Sequence, residues 1–169
     1  GVHTLIAAYK TLRTDKQLLI CGETSDTDAY VAMLHELAKG DDRILFTGFV
    51  SGELLGEIYS NAYAVCLPST LEGMSLSLLE ALAYGNAVIC SDIPENTAVC
   101  GERALTFKAG DSAALAAKMQ YLVDTPQAVD TLRGGVADYI CSRYSEEAVA
   151  DATMAVYKRV LQKETGDTV

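Results

Sequence analysis

Glu72 and Glu80 stand with seven residues between them, and no other pair of side chains in the sequence is better placed to do chemistry together. Glu72 follows a strand-like apolar run and precedes Gly73. Glu80 lies in a helical stretch, flanked by Leu78, Leu79, Ala81 and Leu82. A carboxylate among apolar neighbours is costly to bury unless partners satisfy it. A ligand with adjacent hydroxyls, such as a ribose, would supply those partners. Between the acids, Gly73-Met74-Ser75-Leu76 opens a helix. The first N–H groups of a helix lack intrahelical acceptors, and its dipole favours negative charge there. Gly73 lets the backbone approach a ligand closely. The stretch therefore offers a hold for a diphosphate or a sugar. A plainer reading is also open. Ser77-Leu78-Leu79-Glu80 has the capping-box form, in which Glu80 only reaches back to its own helix terminus. Glu72 would then be a solvated loop acid and Gly73 a turn residue.

The elements that must position these residues alternate along the whole chain. Strand-like runs are predicted at residues 17–21, 43–49, 62–67, 87–90 and 105–107. Amphipathic helical patterns fall at 2–13, 26–39, 51–61, 76–84, 112–123 and 145–163, with a further helix beginning at Pro126. Ser51 and either Asp111 or Ser112 are predicted caps, and Gly40 and Gly85 predicted stops. In the third helix Leu54, Leu55, Ile58 and Tyr59 point inward. Residues 92–96 (DIPEN) read as a turn-rich loop, and residues 164–169 as a frayed tail. Alternation with mostly buried strands indicates α/β architecture with a doubly wound, mainly parallel sheet. Ligands of such sheets sit beyond the carboxyl ends of the strands. The loops to inspect are therefore 22–27, 48–51, 68–75 and 91–96.

Composition narrows the partners. The 169 residues carry 13 Lys and Arg against 23 Asp and Glu, a net charge of −10, which repels nucleic acid. A phosphate-bearing ligand must be held by local N–H donors or by one or two cations. No apolar run is long enough to span a bilayer, and the start has no signal-like segment. The chain reads as an excised piece, residues 1–164 forming one domain. Its five cysteines form no C-x-x-C pair. Cys21, Cys66 and Cys90 fall in apolar runs as small buried hydrophobes, and the scattered thiols fit a reducing cytoplasm. Asp26-Thr27-Asp28 spells a metal motif but starts a helix, so capping is its expected role. His3 and His35 fall on helices away from the acid pair, and Arg103 and Lys108 are expected to be solvated.

The segment PSTLEGMSLSLLEALAYGNAVICSD, residues 68–92, resembles the donor-site signature of glycosyltransferase family 4, a Glu-x7-Glu motif bridging a loop and a helix. Gly48-Phe49-Val50, Pro68-Ser69, Glu72-Gly73, Leu79-Glu80-Ala81, Gly85, Ser91-Asp92 and ALTFKAGD at 104–111 fall in the family's order. The likeness covers nearly the whole chain, about residues 2–161. It implies the donor-binding, C-terminal half of a GT-B fold, a Rossmann-like domain. Glu80 would then bind the ribose hydroxyls of a nucleoside diphosphate sugar, and Glu72, as the catalytic-site acid, the hydroxyls of the transferred hexose-type sugar. Amides of Gly73, Met74, Ser75 and Leu76 would cradle the distal phosphate, with the base near Gly22, Phe49 and Val50. Similar enzymes retain anomeric configuration and need no catalytic metal or other cofactor.

Departures from the family pattern carry their own expectations. Ser75 stands where relatives often have Gly, and Ser77 where they often have Pro. The Ser75 hydroxyl is free, on this reading, to touch phosphate or sugar. A strand bearing an Arg and a Lys, and an N-terminal acceptor domain, would precede residue 1 in relatives. Their absence implies a sheet that lacks its first strand, which could leave a gap, repack or pair with another copy as a homo-oligomer. It also implies weak donor binding and no detectable transfer by this chain alone. The expected location is the cytoplasm, with a membrane-peripheral parent left open, since membrane contacts in relatives usually involve the other domain. Two alternatives stay open: another GT-B enzyme, such as a nucleotide-sugar epimerase or phosphorylase, and a non-enzymatic Rossmann-like ligand-binding or signalling module.

Overall fold

Apolar runs bounded by glycine become strands, and the amphipathic stretches between them become helices. The computed structural model describes residues 1–23 and 28–166, with side chains as far as Leu161. In chain order the elements are α1 (Val2–Tyr9), β1 (Leu18–Cys21), α2 (Asp28–Ala38), β2 (Ile44–Gly48), α3 (Gly52–Asn61), β3 (Val65–Leu67) and α4 (Leu76–Ala83). They continue with β4 (Val88–Ser91), α5 (Pro94–Cys100), β5 (Leu105–Phe107), α6 (Ser112–Asp124), α7 (Pro126–Arg133), α8 (Val136–Tyr144) and α9 (Glu146–Gly166).

Every strand pairing is parallel, as the alternation predicts, but the pairings form two sheets. One holds β1 and β2, with Leu19 opposite Leu45. The other runs β3-β4-β5, with Ile89 opposite both Cys66 and Leu105. Among the described residues β1 and β3 have no strand between them, so the sheet is interrupted where the family likeness places an absent strand.

Side-chain alternation along β4 divides the core into two layers. Ile89 joins Leu5, Ile6, Tyr9, Leu18 and Ile44 beneath α1, α2 and α6. Val88 and Cys90 point to the other face and join Leu78, Leu82 and Ile140 beneath α4, α5 and α8. The first cluster spans both sheets, because α1 packs against α2 on one side and α6 on the other. That helix is the clamp across the interruption.

Several expectations need correction. Leu54 is 57% exposed and no residue of α3 is buried, since the layer beneath α3 is the interrupted part of the sheet. Ser51 occupies the α3 N-cap but makes no side-chain cap bond, whereas the Asp111 carboxylate accepts from Ala114 N at 2.9 Å as predicted. The DIPEN loop is the entrance to α5: Pro94 takes the first helical turn, where a missing N–H costs nothing. Helix α8 begins after Gly135, whose φ of +69° favours glycine. Cys21 is exposed rather than buried, again beside the interruption. Arg103 is exposed, as expected, and also lies over the Tyr139 ring at 4.1 Å. The last helix extends to Gly166, and its apolar Val149, Met154, Val156, Val160 and Leu161 are all exposed. Of the expected tail, residues 167–169 lie outside the described residues, as does the Asp26-Thr27 part of the capping motif.

Candidate functional site

The carboxyl ends of β1 and β3 border a cavity of about 480 Å³, lined at that end by Cys21, Tyr59, Pro68, Ser69, Glu72 and Ser77. Pro68 ends β3 because it cannot donate to a ladder, and the chain turns there into the acid-bearing loop. Glu72 is half-buried in that loop, and Ser69 Oγ donates to its Oε1 at 2.6 Å. Behind Ser69 a buried relay runs to α5. Ser91 Oγ donates to the Ser69 carbonyl at 2.5 Å, and Asn96 Nδ2 donates to Ser91 Oγ at 3.0 Å and to the Ser91 carbonyl at 3.2 Å. Ser91 and Asn96 are both fully buried, and Asn96 Oδ1 has no partner among the described residues. The loop carrying Glu72 is thus tied to the end of β4 and to the first turn of α5.

Glu80 is exposed, not embedded among its apolar neighbours, because it occupies the solvent side of α4 while Leu78, Ala81 and Leu82 take the core side. Tyr59 Oη donates to Glu80 Oε2 at 3.3 Å. Burial first, and then the Glu80 charge, push the Tyr59 phenol up to about 12, so it stays a donor across the physiological range. The Tyr59 ring stacks on Tyr84 with centroids 5.3 Å apart, and Gly56 leaves room for the Tyr84 hydroxyl, which would lie 3.1 Å from an added Cβ. Tyr59 also lines the cavity, so it links Glu80 to the space that Glu72 borders.

The capping-box reading fails on geometry. Ser75, not Ser77, is the N-cap of α4, and its Oγ accepts from Leu78 N at 3.3 Å. This also commits the Ser75 hydroxyl, which is buried at 3% exposure, and removes it as a free ligand contact. The N–H groups of Leu76 and Ser77 lie in the first turn and have no i−4 carbonyl to meet. Gly73, Met74 and Leu76 are exposed around this entrance. Gly22 donates its N–H to the Gly48 carbonyl at 2.9 Å, which brings Gly22 beside Phe49 and Val50 at the ends of β1 and β2. Those three do not line the cavity, and Phe49 is 70% exposed. Residues 24–27 of the neighbouring loop lie outside the described residues.

Sequence reasoning placed Tyr59 in the core and gave Ser69, Ser91 and Asn96 no site role. Ser69 and Ser91 stood in the family order, but nothing in periodicity marks a serine as a relay. Among the described residues no group of three or more His, Cys, Asp or Glu could hold a metal ion. His3 Nδ1 is 3.0 Å from Tyr30 Oη, and the His35 ring lies 4.0 Å from that of Phe46.

The arrangement offers two carboxylates and a helix entrance at one end of a parallel sheet, suited to a ligand with hydroxyls and phosphate. The family model described as "Glycosyl transferases group 1" matches residues 1–125. The O-antigen chain mannosyltransferase RfbU of Salmonella typhimurium is 30% identical over 140 residues, covering 82% of this chain and 39% of the relative. The sucrose-phosphate synthase structure from Thermosynechococcus elongatus superposes with a TM-score of 0.80 at 27% identity, covering 96% of this chain and 43% of that one. HepE of Anabaena, crystallised with UDP and glucose, gives a TM-score of 0.83 at 19% identity, over 92% of this chain and 45% of that one. The chain spans about two fifths of the length of the curated relatives it matches.

Proposed function

The chain belongs to the group 1 glycosyl transferases, and on that premise we propose that it holds the nucleoside diphosphate sugar of a retaining transferase that passes a hexose-type sugar to a glycan or lipid-linked acceptor. One observation carries the reading: Glu72 borders the cavity at the strand ends, and Tyr59 ties Glu80 to the same cavity beside the open first turn of α4. Glu80 accepts hydrogen bonds from the ribose diol. Tyr59 occupies one lone-pair direction of its Oε2 and leaves the rest free, since a carboxylate has about four acceptor sites. Glu72, fixed by Ser69, accepts from hydroxyls of the transferred sugar. Amides at the start of α4 meet the diphosphate, which a surface of net charge −10 would otherwise repel. The base lies towards Gly22, Phe49 and Val50. HepE, whose fold this chain shares, was crystallised with UDP and glucose, which supports a nucleotide-sugar ligand.

The reading involves no metal, so donor binding should be unchanged by EDTA. Acceptor recognition and part of the diphosphate clamp come from a further, N-terminal domain, and α9 offers its exposed apolar side chains to such a domain. This chain alone binds donor weakly and transfers nothing detectable, and the parent works in the cytoplasm. No helix of the described residues is long and apolar enough to cross a membrane. Calorimetric titration with UDP, GDP and ADP tests the reading. Selective binding of one of them, lost in Glu80→Ala, is expected. Equal indifference to all three would overturn the proposal and favour a non-enzymatic module.

A further inference from the structure

We propose that Cys90 of β4 and Cys100 of α5 are a modification site, a dithiol that hydrogen peroxide oxidises to a disulfide and so locks α5 onto the sheet. Geometry makes the first argument. The two Sγ atoms stand 3.9 Å apart, and both residues are fully buried. A disulfide needs about 2.05 Å, a difference that side-chain rotation and a small shift of α5 can close. Cys66 is not a rival partner for Cys90. It pairs with Ile89 on the neighbouring strand and packs in the opposite core layer. Cys21 and Cys141 are exposed.

The surroundings of the pair identify the sulfur that reacts first. The Cys90 thiol donates to Cys100 Sγ, which holds Cys100 below the ordinary thiol range against the effect of burial. The same bond, and then burial, push Cys90 up. Cys100 Sγ also lies 3.5 Å from the carbonyl oxygen of Gly101, and Gly101, Glu102 and Arg103 are exposed. Buried thiols are inert while the fold is closed. Helix α5 has only seven residues, so its last turn opens readily and uncovers Cys100, while Cys90 stays within the central strand of its sheet. The Cys100 thiolate attacks peroxide: an S–O bond forms, the O–O bond breaks, and hydroxide leaves and takes up the thiol proton as water. The Cys90 sulfur then attacks the Cys100 sulfenic sulfur. The S–S bond forms, the S–O bond breaks, and the Cys90 proton leaves with that oxygen as a second water. Each sulfur gives up one electron, and the peroxide takes both.

Position makes the last argument. Cys90 directly precedes Ser91, and Cys100 follows Asn96 by four residues, which puts Asn96 and Cys100 on one face of α5. Asn96 already ties the first turn of α5 to Ser91. A disulfide adds a second tie one turn along, so both ends of the short helix are fastened to the end of β4. Ser91 in turn donates to the Ser69 carbonyl in the loop of Glu72. Oxidation of the pair therefore bears on the backing of that loop, whatever ligand the loop meets.

The test needs no sugar nucleotide, so its outcome is separate from that of the functional reading. The folded chain is treated with hydrogen peroxide, quenched in acid, unfolded, alkylated with a maleimide and cut after glutamate. Cleavage at Glu80, Glu95 and Glu102 puts Cys90 in residues 81–95 and Cys100 in residues 96–102. Mass spectrometry should find these two peptides joined, and dithiothreitol should separate them. In Cys90→Ser the Cys100 sulfenic acid has no second thiol to meet, so dimedone should trap it. Exchange at the Gly101 amide, which donates to the Thr97 carbonyl at 3.0 Å in the last turn of α5, should slow about 10-fold in the disulfide form. Recovery of both peptides alkylated and apart, after peroxide has oxidised Cys21 and Cys141, would overturn the proposal. So would Cys100 joined to Cys141 instead, a Cys90→Ser chain with no dimedone adduct on residues 96–102, or a joined pair that leaves Gly101 exchange unchanged.

Discussion

Replacing Asn96 by leucine should destabilise the fold and loosen the site, although Asn96 touches no expected ligand. Leucine keeps the branched four-atom outline, with bulkier methyl ends, and removes the donor. Two hydrogen bonds to Ser91 disappear, each worth about 1 kcal/mol net, and the Ser91 carbonyl is left short of a donor in a buried place, at about 1–2 kcal/mol. Against this, the substitution also deletes the unpartnered Asn96 Oδ1, which returns about 1 kcal/mol. The balance is a loss of about 2–3 kcal/mol, or a fall in Tm of about 4–12 °C for a chain of this size. Asn96→Asp should be worse at neutral pH, because an acceptor then faces the Ser91 carbonyl where a donor stood. That new carboxyl would have a raised folded-state pKa. Its stability is thus best below the ordinary aspartate range and lost as pH rises through the raised value. Thermal unfolding of both variants at two pH values is the assay, with exchange at the Ser69 and Glu72 amides reporting the loop. If Asn96→Leu matches or exceeds the parent in Tm, the relay from α5 to Glu72 holds nothing and the reasoning is wrong.

Tyr59→Phe removes the hydroxyl on Glu80 while keeping the ring on Tyr84, so donor affinity should fall about 3- to 10-fold, from one lost hydrogen bond, with little change in stability. Unchanged affinity by calorimetry would remove Tyr59 from the site. In a phenolate absorbance titration, the Tyr59→Phe difference should isolate a group ionising near 12, above the ordinary 10.0. A folded-state value raised in this way gives stability that is complete below the unfolded value and lost as pH rises through the folded one. The parent should therefore lose more stability than Tyr59→Phe between about pH 10 and 12.

The parts of the fold that were legible rest on local chemistry. Asp111 caps α6, Gly85 with φ +75° stops α4, and five apolar runs became five parallel strands. The misread parts depend on context. Pro94 and Asn96 carry turn chemistry in any sequence, and only the fold shows one at a helix start and the other fully buried. Ser75 and Ser77 are equally good caps on paper; which one caps α4 depends on where the loop from Pro68 arrives. Leu54 and Cys21 fit an inward pattern, yet they are exposed because the layer they would face is interrupted. The acid pair was legible as a spacing. Of its supports, Ser69 lies in the same loop as Glu72 but no periodicity marks it, while Tyr59 of α3 and Ser91 of β4 come from elements remote in sequence.

One nucleoside diphosphate sugar should meet the loop of Glu72 and the helix of Glu80 at the same time. Amide-resolved NMR of the 169-residue chain during titration with the nucleotide selected above addresses it most directly. The account predicts saturable shifts that cluster at residues 72–77 and 80, with a second group at Gly22, Phe49 and Val50. Shifts confined to α9 or to the amino ends of the strands, with residues 72–80 unmoved, would contradict it.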